Sequence, residues 1–184
     1  MMHRDELVPF GWSRAARAGL SFRTASEADL PFLARVFNST RLEELAPVPW
    51  IDEQKAAFLA MQFRAQHLDY QRNHPHADRL VLVYAGADIG RLYLGRGQQQ
   101  YSIIDIALLP EFRGKGLGSA LLLDILEEAG REGRSVAIHV EKHNPARGLY
   151  QRLGFTTEQE GPVYDLMRWV PPSVASPSAN AARA

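Results

Sequence analysis

Tyr101-Ser-Ile-Ile-Asp-Ile-Ala-Leu-Leu-Pro110, then Glu111-Phe-Arg-Gly-Lys-Gly-Leu-Gly118, then Ser119-Ala-Leu-Leu-Leu-Asp-Ile-Leu-Glu-Glu128 form one continuous stretch that decides how the rest of the chain is read. Its first part reads as a strand and its last part as a helix, with the glycines at the joint. A strand that passes into a helix through a glycine-rich turn is suited to binding phosphate. The first backbone N–H groups of the helix have no partner within it, and the helix dipole favours negative charge there. Gly114, Gly116 and Gly118 let the backbone come close to an anion, while Arg113 and Lys115 add positive charge.

Several phosphate-binding patterns compete for this joint. A G-x-x-x-x-G-K-[ST] loop needs Ser or Thr after its lysine, and Lys115 is followed by Gly116. A dinucleotide fingerprint starting at Gly114 needs its third glycine where Ser119 stands. It also needs an acid about 20 residues further on, for which Glu141 is a weak candidate. The remaining pattern is Arg113-x-x-Gly116-x-Gly118, and a glycine turn without a ligand is the plain alternative.

Working outward, 184 residues suit one domain with a full core. The apolar share of 46% and charged share of 23% are ordinary for a globular chain. A formal net charge of zero gives no case for nucleic acid or an acidic membrane as partner. The absence of cysteine excludes a disulfide framework and thiolate chemistry. No apolar run approaches the roughly 20 residues of a membrane span. Arg14 and Arg17 interrupt any signal-like segment. The reading is a soluble, cytoplasmic protein.

Along the chain, residues 1–19 show no clean period and read as an N-terminal extension. Residues 20–170 read as the domain, and 171–184, rich in Pro, Ser and Ala, as a disordered tail. Leu20 to Thr24 alternates like a half-buried strand. Ser26 caps a helix that carries Leu30, Leu33, Ala34 and Phe37 inward and ends at Asn38-Ser-Thr40. After a proline-broken loop from Leu45 to Trp50, Asp52 caps a second helix reaching about Arg72. Its expected apolar face is broad: Ala56, Ala57, Leu59, Ala60, Met61, Phe63 and Leu68. Arg79 to Ala85 and Ile89 to Leu94 read as a hairpin around Gly86-Ala-Asp88. Ser135 to Glu141 is a strand, and Asn144-Pro-Ala146 caps a short helix through Arg152 that Gly154 closes. Phe155 to Glu160 and Val163 to Val170 are two last strands.

Arg113-x-x-Gly116-x-Gly118, preceded by Ala107-Leu-Leu-Pro-Glu-Phe112, resembles the main motif of the GNAT superfamily of N-acetyltransferases. A second motif of that family matches Asn144-Pro145-Ala146, Leu149-Tyr150 and Leu153-Gly154-Phe155. The resemblance covers about residues 20 to 170. It implies an α/β fold whose central, mostly antiparallel sheet splays between its fourth and fifth strands and is flanked by about four helices. It also implies acetyl-CoA as co-substrate, with no metal, and an amine-bearing small molecule, peptide or protein as acceptor.

By that resemblance, the turn Arg113, Gly114, Lys115, Gly116, Leu117, Gly118 and Ser119 holds the pyrophosphate. Arg113 can equally brace the turn. Ile106, Ala107 and Leu108 pair with the pantetheine arm as an added strand would, and a backbone N–H near Leu108 polarises the thioester carbonyl. Asn144 contacts the arm from the other side, or caps its helix, or both. Tyr150 is the general acid toward the leaving thiolate, with a core-edge aromatic as the plain alternative. Base candidates are Glu141, His139 and Asp105. His139 and Glu141 share a strand face, and Asp105 interrupts an apolar strand and so needs a partner or solvent. Alternation of His139, Glu141 and His143 is too little for a metal site.

Acceptor recognition falls to the N-terminal half, where Arg41, Glu43, Glu44, Trp50 and Tyr93 are the candidates and Gln62, Gln66 and Tyr70 are also available. The two glutamates suit a cationic amine. A catalytically inactive acyl-CoA-binding module is the alternative function, and an unrelated nucleotide-binding domain a third. The last strands and the Trp169 region offer a surface on which a homodimer can form.

Overall fold

Seven strands form one sheet in the order β1-β2-β3-β4-β5-β7-β6 in the computed structural model, which describes residues 11–172. They are β1 (Leu20–Thr24), β2 (Asp78–Tyr84), β3 (Ala87–Arg96), β4 (Gln100–Leu108), β5 (Ser135–Glu141), β6 (Thr156–Gln159) and β7 (Tyr164–Trp169). The helices are α1 (Ser13–Arg17), α2 (Leu30–Leu45), α3 (Asp52–Asn73), α4 (Leu117–Arg131) and α5 (Arg147–Arg152). Every neighbouring pair is antiparallel except β4 and β5, which run parallel because α4 crosses between them. The mixed α/β order and the mostly antiparallel sheet agree with the reading of the sequence.

Alternation along β2 divides the core between the two sheet faces. Leu80 and Leu82 join a large cluster with Trp12, Phe22 and the inner side of α4. Val81 and Val83 pack with Leu33 of α2 on the opposite face. The β2–β3 hairpin turns on Ala85 and Gly86, both at positive φ (50° and 77°), the geometry whose twist suits adjoining strands. The turn therefore begins one residue before the expected Gly86.

Three local expectations need correction. The first long helix does not stop at residues 38–40. The hydroxyls of Ser39 and Thr40 donate back to the carbonyls of Val36 and Phe37 (2.7 and 2.8 Å), so both are satisfied inside a helix that continues to Leu45. The second helix begins at Asp52 rather than being capped by it; Ile51 precedes it, with its N–H on Gln54 Oε1 at 3.2 Å. Its apolar face is also narrower than its composition suggests. Only Leu59 is fully buried, while Met61 and Leu68 are 61% and 54% exposed.

The segment before β1 is not patternless in space. Trp12 and Ala15 are buried in the main core, and α1 has its free N–H groups capped by another helix: Asp124 of α4 accepts from Arg14 N (3.2 Å) and Ala15 N (2.8 Å). The expected extension over 1–19 and tail over 171–184 lie partly outside the described residues, since residues 1–10 and 173–184 fall there.

Candidate active site

The ladder between β4 and β5 runs from Gln100↔Ser135 to Ile103↔Ile138 and stops, although β4 continues to Leu108 and β5 to Glu141. A bulge accounts for the parting. On the other side of β4, Tyr93 pairs with Asp105 and Leu94 with Ile103, which leaves Ile104 as an extra residue. An inserted residue bends its strand and ends regular pairing. Ile106, Ala107 and Leu108 thus lie on a half-buried stretch of β4 with no ladder partner in β5.

Beyond β4 the chain makes a short turn over Pro110–Phe112 and enters α4 through Gly114 (φ 71°) and Gly116 (φ 79°), backbone conformations that favour glycine. Gly116 caps α4 without any side-chain bond. The first intrahelical bond is from Ala120 N to Gly116 O, so the N–H groups of Leu117, Gly118 and Ser119 lack helical acceptors. A Cβ at Gly114, Gly116 or Gly118 would meet nothing within 4 Å. At Gly118 neither φ nor packing asks for glycine, so its effect is to leave space over the helix start. That open cradle of convergent donors fits a pyrophosphate.

Arg113 takes the bracing role. Its Nε donates to Leu108 O at 2.8 Å and its Nη2 reaches Ser39 Oγ at 3.3 Å, tying the end of β4 to α2. Lys115 is exposed, with its ammonium 5.3 Å from the Phe112 ring centroid.

Tyr150 of α5 is 4% exposed and meets Phe155 edge-on at 5.8 Å. Its phenol is pushed up to about 12, chiefly by burial and then by the charge of Asp105. Asn144 accepts from Ala146 N at 2.8 Å, the capping bond expected of it.

Asp105 has the partner its position demands. Its Oδ2 accepts from Arg91 Nη2 at 2.6 Å. Arg91, 3% exposed, also donates to Gln66 Oε1 of α3 (3.0 Å) and to Leu33 O of α2 (3.4 Å). Tyr70 and Tyr93 meet each other edge-on at 5.8 Å, and the Arg91 guanidinium lies 5.6 Å from the Tyr93 ring. Burial raises both phenols, and the charge of the Asp105 carboxylate adds to the effect.

The other base candidates sit differently. Glu141 Oε1 accepts from Arg41 Nη1 (2.6 Å) and from the Tyr164 hydroxyl (2.9 Å), and Arg41 also pairs with Glu44 at 3.2 Å. His139, on the same face of β5, is exposed. Of the acceptor-side candidates, Arg41 and Glu44 therefore gather at Glu141, and Tyr93 at Asp105. Trp50 instead packs edge-on against Phe58 at 5.2 Å, and Glu43 is exposed and joins no ion pair among the described residues. Arg91 and Tyr164 were not singled out from the sequence. For Arg91 there was a usable signal: an acid in an apolar strand calls for a base on an adjoining one.

A family model described as "Acetyltransferase (GNAT) family" matches residues 40–155. Over 84 residues the chain is 31% identical to the putative [ribosomal protein bS18]-alanine N-acetyltransferase of Bacillus subtilis (strain 168), covering 44% of this chain and 55% of that one. The chain thus spans about half the length of that curated relative. The fold is similar to that of the PaiA N-acetyltransferase from Thermoplasma acidophilum in complex with coenzyme A (TM-score 0.63, 18% identity, 82% of this chain and 98% of that one). It is also similar to an acetyltransferase from Thermus thermophilus (TM-score 0.61, 22% identity, 82% and 96%) and to Ard1 from Thermoplasma volcanium (TM-score 0.58, 20% identity, 84% and 99%).

Proposed function

The chain belongs to the acetyltransferase (GNAT) family, and on that footing we propose that it transfers an acetyl group from acetyl-CoA to a primary amine by direct attack. The observation that carries this reading is a conjunction at the parted strands. It joins an open glycine cradle, a stretch of β4 with no ladder partner in β5, and a buried phenol in the field of a carboxylate. The N–H groups of Leu117, Gly118 and Ser119 hold the pyrophosphate, with Lys115 adding charge. Ile106 to Leu108 pair with the amides of the pantetheine arm, and Asn144 contacts it from the β5 side.

The acceptor nitrogen attacks the thioester carbonyl carbon, the C–S bond breaks, and the nitrogen gives up a proton. Asp105 is the best placed of the three sequence candidates to take that proton, directly or through water. Arg91 fixes its Oδ2, and its charge adds to the burial that raises the Tyr150 phenol, which supports reading the two as base and acid of one reaction. Glu141 is held by Arg41 much as Asp105 is by Arg91, and by the Tyr164 hydroxyl as well, but unlike Asp105 it is not among the groups that raise the Tyr150 phenol. Tyr150 donates toward the leaving sulfur. With its phenol near 12 against ~8.5 for an ordinary thiol, full transfer is about 5 kcal/mol uphill. Its contribution is therefore a hydrogen bond that stabilises the thiolate.

The relative's name specifies the alanine of a ribosomal protein, and an α-amine is the acceptor that this site suits. Its pKa of ~8 leaves a usable neutral fraction near pH 7, whereas a lysine at ~10.4 demands a stronger base. A thiol-release assay with acetyl-CoA over N-terminal peptides, lysine side chains and small amines tests the reading, with calorimetry against coenzyme A beside it. The expected result is binding of coenzyme A and turnover with a free N-terminus. Binding without turnover across the panel would instead make this a silent acyl-CoA-binding module. Binding of NAD or ATP in place of coenzyme A would overturn the reading.

A further inference from the structure

Helix α3 carries 22 residues, and Leu59 is the only one of them fully buried. Helices in proteins owe most of their stability to packing of one face, and α3 presents a second apolar face that none of the described residues covers. At 100° per residue, Ala57, Met61, Ala65 and Leu68 fall within about 80° of arc, opposite the side that carries Leu59, Gln66 and Tyr70. All four are exposed, Met61 and Leu68 by more than half.

We propose that this face is the seam of a two-fold homodimer, in which α3 packs antiparallel against α3 of a second copy. The stripe is self-complementary in one register. Reversing the helix against itself with Leu68 opposite Ala57 brings Met61 level with Arg64 and within one residue of Ala65, so the large apolar side chains meet small ones, as ridges meeting grooves require, while exposed Arg64 borders the seam. The charges fall into the same register. The first turn of α3 is acidic (Asp52, Glu53) and its last turn basic (Arg72). An antiparallel pair therefore brings Glu53 of each chain toward Arg72 of the other, twice by symmetry, whereas a parallel pair sets like charges side by side. Trp169, the other candidate for pairing between subunits, is occupied within its own subunit: its ring lies against Gly130 and Gly154.

Sedimentation of the full chain tests the proposal. An interface built around one helix pair is small, so dimer mass is expected at loadings on the order of 100 µM, in the weak range of specific association. Met61→Glu with Leu68→Glu is expected to weaken dimerisation at least tenfold while circular dichroism and coenzyme A binding stay unchanged. Glu53→Arg alone and Arg72→Glu alone are each expected to weaken it, and the two together to restore it. Because the chain has no cysteine, Ala57→Cys with Leu68→Cys adds a direct readout. The two sites are about 16 Å apart along one helix, too far for a disulfide within a chain, so oxidation should yield a covalent dimer. A wild type that stays monomeric at that concentration, or a dimer indifferent to the Met61/Leu68 pair, overturns the proposal. The first would leave the face to a different partner, and the second would put the interface elsewhere.

Discussion

Arg91 is buried and Asp105 largely so, and each makes the other's loss of solvent tolerable. A charge taken out of water is costly unless it is paired and hydrogen-bonded. Arg91→Met leaves the carboxylate without its partner and is expected to cost about 3 kcal/mol in urea unfolding. Asp105→Asn behaves differently. Its amide oxygen still accepts from Arg91, so the fold should persist within about 1 kcal/mol, while kcat falls on the order of 10²-fold or more through loss of the proton acceptor. Tyr150→Phe keeps the packing against Phe155 and removes only the donor, so coenzyme A affinity should hold while kcat drops by a similar factor. A fully buried acid, Asp29, supplies a pH test away from the site. Asp29 accepts two bonds from Arg23 (2.8 and 2.9 Å) and one from Ser26 N (2.7 Å), and Arg23 above all holds it down at about 2. A carboxyl lowered on folding adds stability above its unfolded pKa of ~3.9 and loses it as pH falls toward 2, here about 2 kcal/mol. Urea midpoints from pH 6 to pH 2.5 should show that loss in the wild type, and Asp29→Asn should be less stable at pH 6 with a flatter profile.

At the scale of elements, the start of α4 separates two uses of glycine. Gly116 needs its residue type for the backbone, at φ 79°. Gly118 has an ordinary helical backbone and open space around it. Gly118→Leu should therefore leave stability unchanged or raise it by up to about 1 kcal/mol, because glycine is a poor helix former. The same change fills the cradle, and coenzyme A affinity is expected to fall at least tenfold by calorimetry. Retained affinity would show that the anion does not lie over this turn. Glycine spacing and the run from Asn144 to Phe155 were readable in the sequence because their parts are neighbours along the chain. The parting of β4 and β5 was not, since the bulge at Ile104 is a matter of register between strands. The partner of Asp105 was hidden for a related reason: Arg91 is adjacent only once β3 lies beside β4. Ser39 and Thr40 misled in the opposite direction, as residue types that usually end helices but here bond back into theirs.

At the scale of the whole molecule, the least legible piece is also one of the best anchored. Five residues of α1 are too few to show a helical period, and the acid that caps them lies 109 residues away from Ala15 in sequence. In space, Trp12 packs edge-on against Phe22 at 5.1 Å, its indole N–H donates to Glu128, and the Arg96 guanidinium lies 5.7 Å from its ring. One side chain thus joins the first helix, the edge strand β1, the middle of the sheet and the back of α4. Trp12→Ala is expected to cost about 3–5 kcal/mol, the range for emptying a large aromatic site in a core. Its effect on the ligand site should be small, because Asp124 and Glu128 lie in the second half of α4 while the cradle lies at its beginning. Sites that far apart contribute nearly additively. Saturation with coenzyme A at a hundred times its Kd adds about 2.7 kcal/mol of apparent stability. Urea unfolding with and without coenzyme A should show the same increment in the wild type and in Trp12→Ala, on baselines about 3–5 kcal/mol apart. A smaller increment in the variant would mean that α1 also sets the position of the helix start, and that the two ends of α4 move as one.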